Sequence, residues 1–356
     1  MILNIYSNAT YIKSDVLVDN ITINTINLEQ LDNVSYLSDN DYIFICCPIK
    51  NKTPEKFLHY LKKFKKNRAI QFCESPYNYK SWYNILTPHV DIIFSQVFDN
   101  NINKHYWIPY HHYLCWDYNK NESYDFKINS IDITQKTKYM CNNPILMNWK
   151  ERLKIIDKLS KENIHIYGGC KELTKYGNKY KGILGFNRLS KSLYYDKKSQ
   201  SKVHTFKNYK FVVVIENVFH FGSMTEKLID SLGCLSVPIY FGSYYPEKIL
   251  PELFTNGVIN GFGFKTIDDL LHYLKNMSDE EYIQRILTIK KYREDCYQYF
   301  TKGKIQEYCS SIFLEKYCKA IPNPHLTNIN NNLKAYFSDK SNNLKVLNCY
   351  KSNILL

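Results

Sequence analysis

The chain has 356 residues, 47 Lys and Arg against 34 Asp and Glu, and a net charge of +13. That length carries two domains of ordinary size, each able to bury its own core. The cations are dispersed apart from Lys62 to Lys66, which reads as a solvated helix face, so nucleic acid is not an expected partner. Eleven cysteines, an odd number without paired spacing, exclude a disulfide framework and point to a reducing compartment. There is no Cys-x-x-Cys pair, and His111-His112 are adjacent, so no structural metal is expected.

The N-terminus, MILNIYSNATYIKSDV, has only a brief apolar start, too short for a signal peptide or a spanning helix. A cytoplasmic protein without a transmembrane segment is the expectation. Apolar strands then alternate with amphipathic helices: strands at Ile2 to Tyr6 and Tyr42 to Cys47, a helix at Pro54 to Lys65, and strands at Ala69 to Cys73 and Ile92 to Ser95. This is α/β logic with parallel strands. The polar stretch Tyr118 to Lys136 lacks periodicity and suits a linker, which places a boundary near residue 130.

The second half repeats the pattern with a strand at Tyr139 to Cys141, a helix at Trp149 to Ser160 and a strand at Ile164 to Gly168. Residues 171 to 206 have weak periodicity and read as a long loop. Helices are predicted at Asp268 to Met277, Asp279 to Tyr292 and Lys304 to Ala320, and beyond Pro322 the Asn-rich tail has no strong pattern. The expected organisation is a Rossmann-like domain over 1–130, a second over 131–302, and a C-terminal helix with a polar tail over 303–356.

The most informative stretch runs from Lys207 to Ser243. Tyr209 to Ile215 reads as a buried parallel strand ending at the polar pair Glu216-Asn217. After a loop with Gly222, Ser223 and Thr225 offer N-caps, Glu226 and Lys227 fall in the first helical turn, and Leu228, Ile229 and Leu232 form the apolar face. Val237 to Phe241 is the next strand, with Gly242-Ser243 as its turn. Unpaired N–H groups, the positive end of the helix dipole and a lysine favour an anion such as a diphosphate. A capped helix with Glu and Lys in its first turn is equally an ordinary structural device, so these residues alone leave the site open.

The order Tyr209-Lys210-Phe211, Glu216-Asn217, Thr225-Glu226-Lys227, Val237-Pro238 and Gly242 resembles the donor motif of the α1,3/α1,4-fucosyltransferases, glycosyltransferase family 10. Two upstream islands resemble the same family: Glu74-Ser75-Pro76 with Ile108-Pro109-Tyr110, and Lys138 to Cys170 with Asn142-Asn143 and Arg152. The resemblance covers roughly residues 70 to 300. It implies an α/β protein of two Rossmann-like domains facing across a cleft, GT-B-like, the donor being held by the C-terminal half. The implied reaction is inverting, metal-independent transfer of L-fucose from GDP-fucose to a hydroxyl of a glycan acceptor, with no cofactor.

In that reading Glu74 matches the general base, Lys227 and Arg152 match the cations on the donor diphosphate, and Glu226 matches the acid that binds donor hydroxyls. Glu216, Asn217, Ser223 and Thr225 complete the donor-binding set. Ser223 stands where bacterial members carry a Tyr, and Val218 where a Ser usually follows Glu-Asn, so another nucleotide sugar is the alternative donor. A catalytically silent nucleotide-sugar or glycan-binding module is the alternative should Glu74 not act as a base. Asp39-Asn40-Asp41 precedes its strand instead of following it, which is the wrong placement for a metal motif.

Overall fold

The structure, a computed structural model, describes residues 2–8, 16–18, 21–47, 53–72, 80–96, 104–108, 136–142, 150–182, 184–185, 200–201, 205–217, 219–243, 246–299, 308–309, 312 and 324–339. Glu74, Pro109-Tyr110, Asn143, the stretch 118–135 and nearly all of the helix expected over Lys304 to Ala320 lie outside these. The chain divides into two compact units: Met1–Asp117 with Tyr297–Lys345, and Tyr118–Cys296 with Val346–Leu356.

The first unit is built on a seven-stranded sheet in the order β2-β3-β1-β4-β5-β6-β7. Its strands are β1 (Ile2–Ser7), β2 (Val16–Val18), β3 (Ile21–Asn27), β4 (Asp41–Cys47), β5 (Arg68–Phe72), β6 (Ile92–Ser95) and β7 (His105–Trp107). Every pairing is parallel except β2 with β3. β4 and β5 are buried at almost every position because parallel strands are covered on both faces. Helix α1 (Pro54–Lys63) starts with proline at its first position, where no N–H is needed, and sends Phe57, Tyr60 and Leu61 into the core beside α2 (Lys80–Leu86).

Asp41 opens β4 instead of holding a metal: its carboxylate accepts from Asn4 Nδ2 at 2.8 Å and from Ser38 N at 2.6 Å. Asp39 and Asn40 form the turn that was expected, while Asp41, read as loop, already belongs to the strand because its carboxylate closes that turn.

The second unit carries a six-stranded, wholly parallel sheet in the order β10-β9-β8-β13-β14-β15. Its strands are β8 (Lys138–Asn142), β9 (Ile164–Tyr167), β10 (Tyr180–Gly182), β13 (Tyr209–Ile215), β14 (Val237–Phe241) and β15 (Ile259–Asn260). A small separate ladder pairs β11 (Leu184–Gly185) with β12 (Gln200–Ser201). Helices follow in chain order: α3 (Lys150–Leu159), α4 (Glu226–Gly233), α5 (Pro251–Asn256), α6 (Ile267–Asn276) and α7 (Asp279–Tyr299). Thr266 and Asp269 form a reciprocal capping box on α6, which fixes where it begins.

Two expectations are corrected. Residues 171–182 are not loop but a 3-10 segment, Lys171–Lys179, followed by the edge strand β10. Periodicity missed it because its single buried anchor, Leu173, leaves no repeat to read. The Asn-rich tail forms helix α8 (Pro324–Ser338), held by contacts that composition does not reveal. There Asn330 accepts from Trp107 N at 2.6 Å and donates to Trp107 O at 2.9 Å, so an amide of α8 pairs the outer edge of β7 as a strand would.

Lys136, the end of the expected linker, is 4% exposed. Its ammonium donates to the carbonyls of Lys207, Tyr209 and Cys234 and to Ser236 Oγ, all at 3.1 to 3.2 Å. One side chain thereby ties β8 to β13 and to the turn that feeds β14. Replacing it by Met leaves the Lys207 and Cys234 carbonyls without this donor in a dry interior, and Lys136→Met should lose about 2 kcal/mol at pH 7.5. Burial pushes the Lys136 amine down to about 8, whereas an unfolded lysine holds its proton to about 10.4. Between those values the unfolded chain binds the extra proton, so wild-type stability gains a rising contribution with pH that the variant lacks. Urea midpoints at pH 7.5 and 9.5 should show the gap between the two proteins widening at the higher pH.

Candidate donor-binding site

In the second sheet the chain winds outward through β8, β9 and β10 in one direction and through β13, β14 and β15 in the other. The order reverses between β8 and β13, and such a reversal opens a crevice beyond the carboxyl ends of the two strands. The helix that follows β8 begins at Lys150 and carries Arg152 in its first turn, while β13 ends at Ile215 and delivers Glu216. Both residues therefore meet at this crevice, Arg152 being 3% exposed and Glu216 0%.

Glu216 is the hub. Its carboxylate accepts from Thr225 N at 2.8 Å and from Thr225 Oγ1 at 2.5 Å. The Lys227 ammonium lies 3.7 Å from the same carboxylate and donates to Thr225 Oγ1 at 3.0 Å. From the other side of the crevice Arg152 Nε donates to the Glu216 backbone carbonyl at 3.1 Å. The structure thus gathers Arg152, Glu216, Thr225 and Lys227, all of them expected from the sequence, around one strand end. Thr225 is the N-cap of α4, as anticipated, with Glu226 the first helical residue.

The loop before α4 is stitched to the tip of β14. Gly222 N donates to Ser243 Oγ at 2.7 Å, the Tyr240 hydroxyl donates to Ser223 O at 3.0 Å, and Ser243 N donates to the Tyr240 hydroxyl at 3.1 Å. Burial, and after it the Glu216 charge, raises the Tyr240 pKa far above the ordinary phenol value, so it stays a donor. Gly222 sits at φ 85, the left-handed region that glycine enters without cost. Ser223 is 1% exposed and its hydroxyl has no hydrogen-bond partner, while Asn217 is half-buried beside Glu216. His220 on the same loop is pushed down to about 4 by burial, which keeps the imidazole neutral near pH 7.

Sequence reasoning missed Tyr240 and Ser243 as parts of this arrangement. Tyr240 alternates with apolar residues in an ordinary-looking strand, and only the register with β13 reveals that its hydroxyl returns to the loop. Asn142, noted at the end of β8, points its amide to the opposite side: it exchanges bonds of 2.6 and 2.9 Å with the backbone of Tyr167 and extends the β8–β9 ladder.

What the arrangement can do follows from its charges. Two buried cations flank one buried carboxylate beside the N-terminus of a helix, an arrangement that suits an anion. The Ser223 hydroxyl supplies an additional polar group within the same loop.

Comparison with solved structures and sequence relatives defines the fold and the family. An α1,3-fucosyltransferase crystal structure superposes with a TM-score of 0.51 at 19% identity, covering 88% of this chain and 90% of that one. The fold is accordingly the double Rossmann-like architecture of the GT-B glycosyltransferases. Residues 133–336 match the profile of Glycosyltransferase family 10 (fucosyltransferase) C-term, and the chain belongs to that family. An α-(1,4)-fucosyltransferase of Arabidopsis thaliana is 29% identical over 147 residues, 39% of this chain and 35% of that protein. The α-(1,3)-fucosyltransferase FucT of Helicobacter pylori is 28% identical over 98 residues, 28% of this chain and 20% of its own length. The matched region therefore spans about a third or less of these curated relatives.

Gly242 tests how tightly the site is built. A β-carbon there would lie 2.3 Å from the Tyr240 ring and hydroxyl and 2.6 Å from Glu216 Cγ, and neither buried side chain has room to withdraw. Gly242→Ala should cost about 1–3 kcal/mol in thermal unfolding, whereas Gly263→Ala, with nothing nearer than 3.8 Å, should melt close to wild type.

Proposed function

We propose that this chain is a glycosyltransferase that moves L-fucose from GDP-fucose to a hydroxyl of a glycan acceptor, with inversion and without a metal in the chemical step. The observation that carries the reading is the convergence of Lys227 and Arg152 on Glu216 at the switch point of a parallel sheet. Its support in sequence is membership of family 10 and the fucosyltransferase names of the relatives.

In this reaction the acceptor oxygen attacks the anomeric carbon from the face opposite the nucleotide, the bond from that carbon to the β-phosphate oxygen breaks, and GDP leaves. The acceptor proton passes to Glu74, the proposed general base. Negative charge grows on the departing diphosphate as the bond lengthens. Lys227 and Arg152, fixed in a site from which water is largely excluded, stabilise that charge without rearranging. Two cations supply the compensation that a divalent ion would otherwise give. Asn217 and Ser223 are assigned to the bound donor, Ser223 because its buried hydroxyl needs a partner, and Glu226 to the donor hydroxyls.

A second donor is favoured by one observation only: the small Ser223 stands in the loop where the family resemblance leads one to expect a tyrosine. The same machinery would then move a different sugar from a nucleotide diphosphate. Among the described residues no helix is long and apolar enough to cross a membrane.

The test is GDP release from GDP-fucose with and without a panel of fucosyl acceptors. Lys227→Ala and Arg152→Ala should each lower kcat/KM by about 100-fold or more, as expected for loss of a charge that acts on the transition state. Glu74→Gln should abolish turnover while retaining GDP-fucose affinity within about threefold, since the base acts on the acceptor. Full donor binding with no acceptor-dependent release by the wild type would favour a silent binding module, and release from another nucleotide sugar alone would reassign the donor.

A further inference from the structure

Glu216 holds a position unlike the other site residues. It is fully buried, and its carboxylate and its carbonyl between them touch the loop that enters α4, the lysine of the first turn and the arginine across the crevice. Its Cγ also packs over the bare backbone of Gly242, so the side chain is fixed from β14 as well. A side chain so enclosed acts through the groups it holds.

We infer that Glu216 is a positioning residue, an internal counter-ion that sets Lys227 and Arg152 for the second phosphate of the donor, with the Thr225 hydroxyl as the link between carboxylate and ammonium. This rests on the donor reading above. Thr225 Oγ1 gives its proton to Glu216 and takes one from Lys227, so the hydroxyl has a single orientation that serves both. The ammonium is therefore located by one hydrogen bond to Thr225 and one ion pair with Glu216 as well as by its flexible four-carbon stem. On the opposite wall Arg152 Nε donates to the Glu216 carbonyl. Because a carboxylate buried beside an ammonium costs several kcal/mol when either partner is lost, the cluster keeps its geometry whether or not the donor is bound. The anion then meets preset charges, and the gain should appear in the recognition of a diphosphate over a monophosphate.

Titration calorimetry with GDP and GMP tests this on the full chain. Glu216→Gln removes the charge and reverses the bond to Thr225; Thr225→Val removes the hydroxyl and keeps volume and backbone N–H; Thr225→Ser keeps the hydroxyl. The expected result is a fall of tenfold or more in GDP affinity for Glu216→Gln and Thr225→Val, GMP affinity within about twofold of wild type, and Thr225→Ser close to wild type in both. A parallel loss of GDP and GMP binding would reduce Glu216 to a packing role and overturn the inference, as would an unchanged preference for GDP. If Glu216→Gln does not fold, Thr225→Val decides alone. A wild-type protein with no preference for GDP over GMP would instead remove the donor reading itself.

Discussion

The arrangement of the second unit depends on a carboxylate that has been taken entirely out of water at the tip of a parallel strand. Such burial is unfavourable unless the charge is met by hydrogen bonds and an opposite charge. Glu216 is met by the amide and hydroxyl of Thr225 and by Lys227, and every one of these lies within the twelve residues that follow the strand. The loop, the cap and the first turn of α4 are therefore shaped by the need to satisfy one acid. Glycine at position 242 follows from the same need, because Glu216 and Tyr240 fill the space a β-carbon would take.

Topology supplies the remaining cation. Since the sheet order reverses between β8 and β13, the chain leaving β8 and the chain leaving β13 turn away to opposite faces, and the helices that follow open toward the same crevice. Arg152 arrives there from α3 without any sequence proximity to Glu216, 64 residues away. At the amino ends of the central strands Lys136 does comparable structural service, its ammonium holding the carbonyls of Lys207, Tyr209 and Cys234. One buried cation thus stabilises the scaffold and two others charge the crevice.

Much of this was legible in the sequence because the relevant signals are local. The run Tyr209 to Ile215 is apolar without interruption, so a strand buried on both faces was readable to the residue, and the cap at Thr225 and the strand Val237–Phe241 followed from residue type. Arg152 and Lys227 were identified through family resemblance, and their common attachment to Glu216 was not, because it depends on strand order. What was illegible was non-local. Tyr240 serves the loop only through its register beside β13, Asn330 replaces a strand only because β7 is an edge, and Lys136 looked like a linker residue until three carbonyls from distant segments surrounded it. The edge strand β10 and helix α8 escaped for the same reason: few of their residues carry the apolar repeat, and tertiary contacts hold them in place.

The central claim is that the charges assembled around Glu216 hold the diphosphate of a nucleotide sugar, and a crystal structure of the chain with GDP-fucose tests it most directly. Phosphate oxygens should lie within hydrogen-bond distance of Lys227 Nζ and of the Arg152 guanidinium, with the Glu216–Thr225 bonds unbroken. A diphosphate bound away from both cations, or a Glu216 carboxylate swung out to meet the sugar, would contradict it.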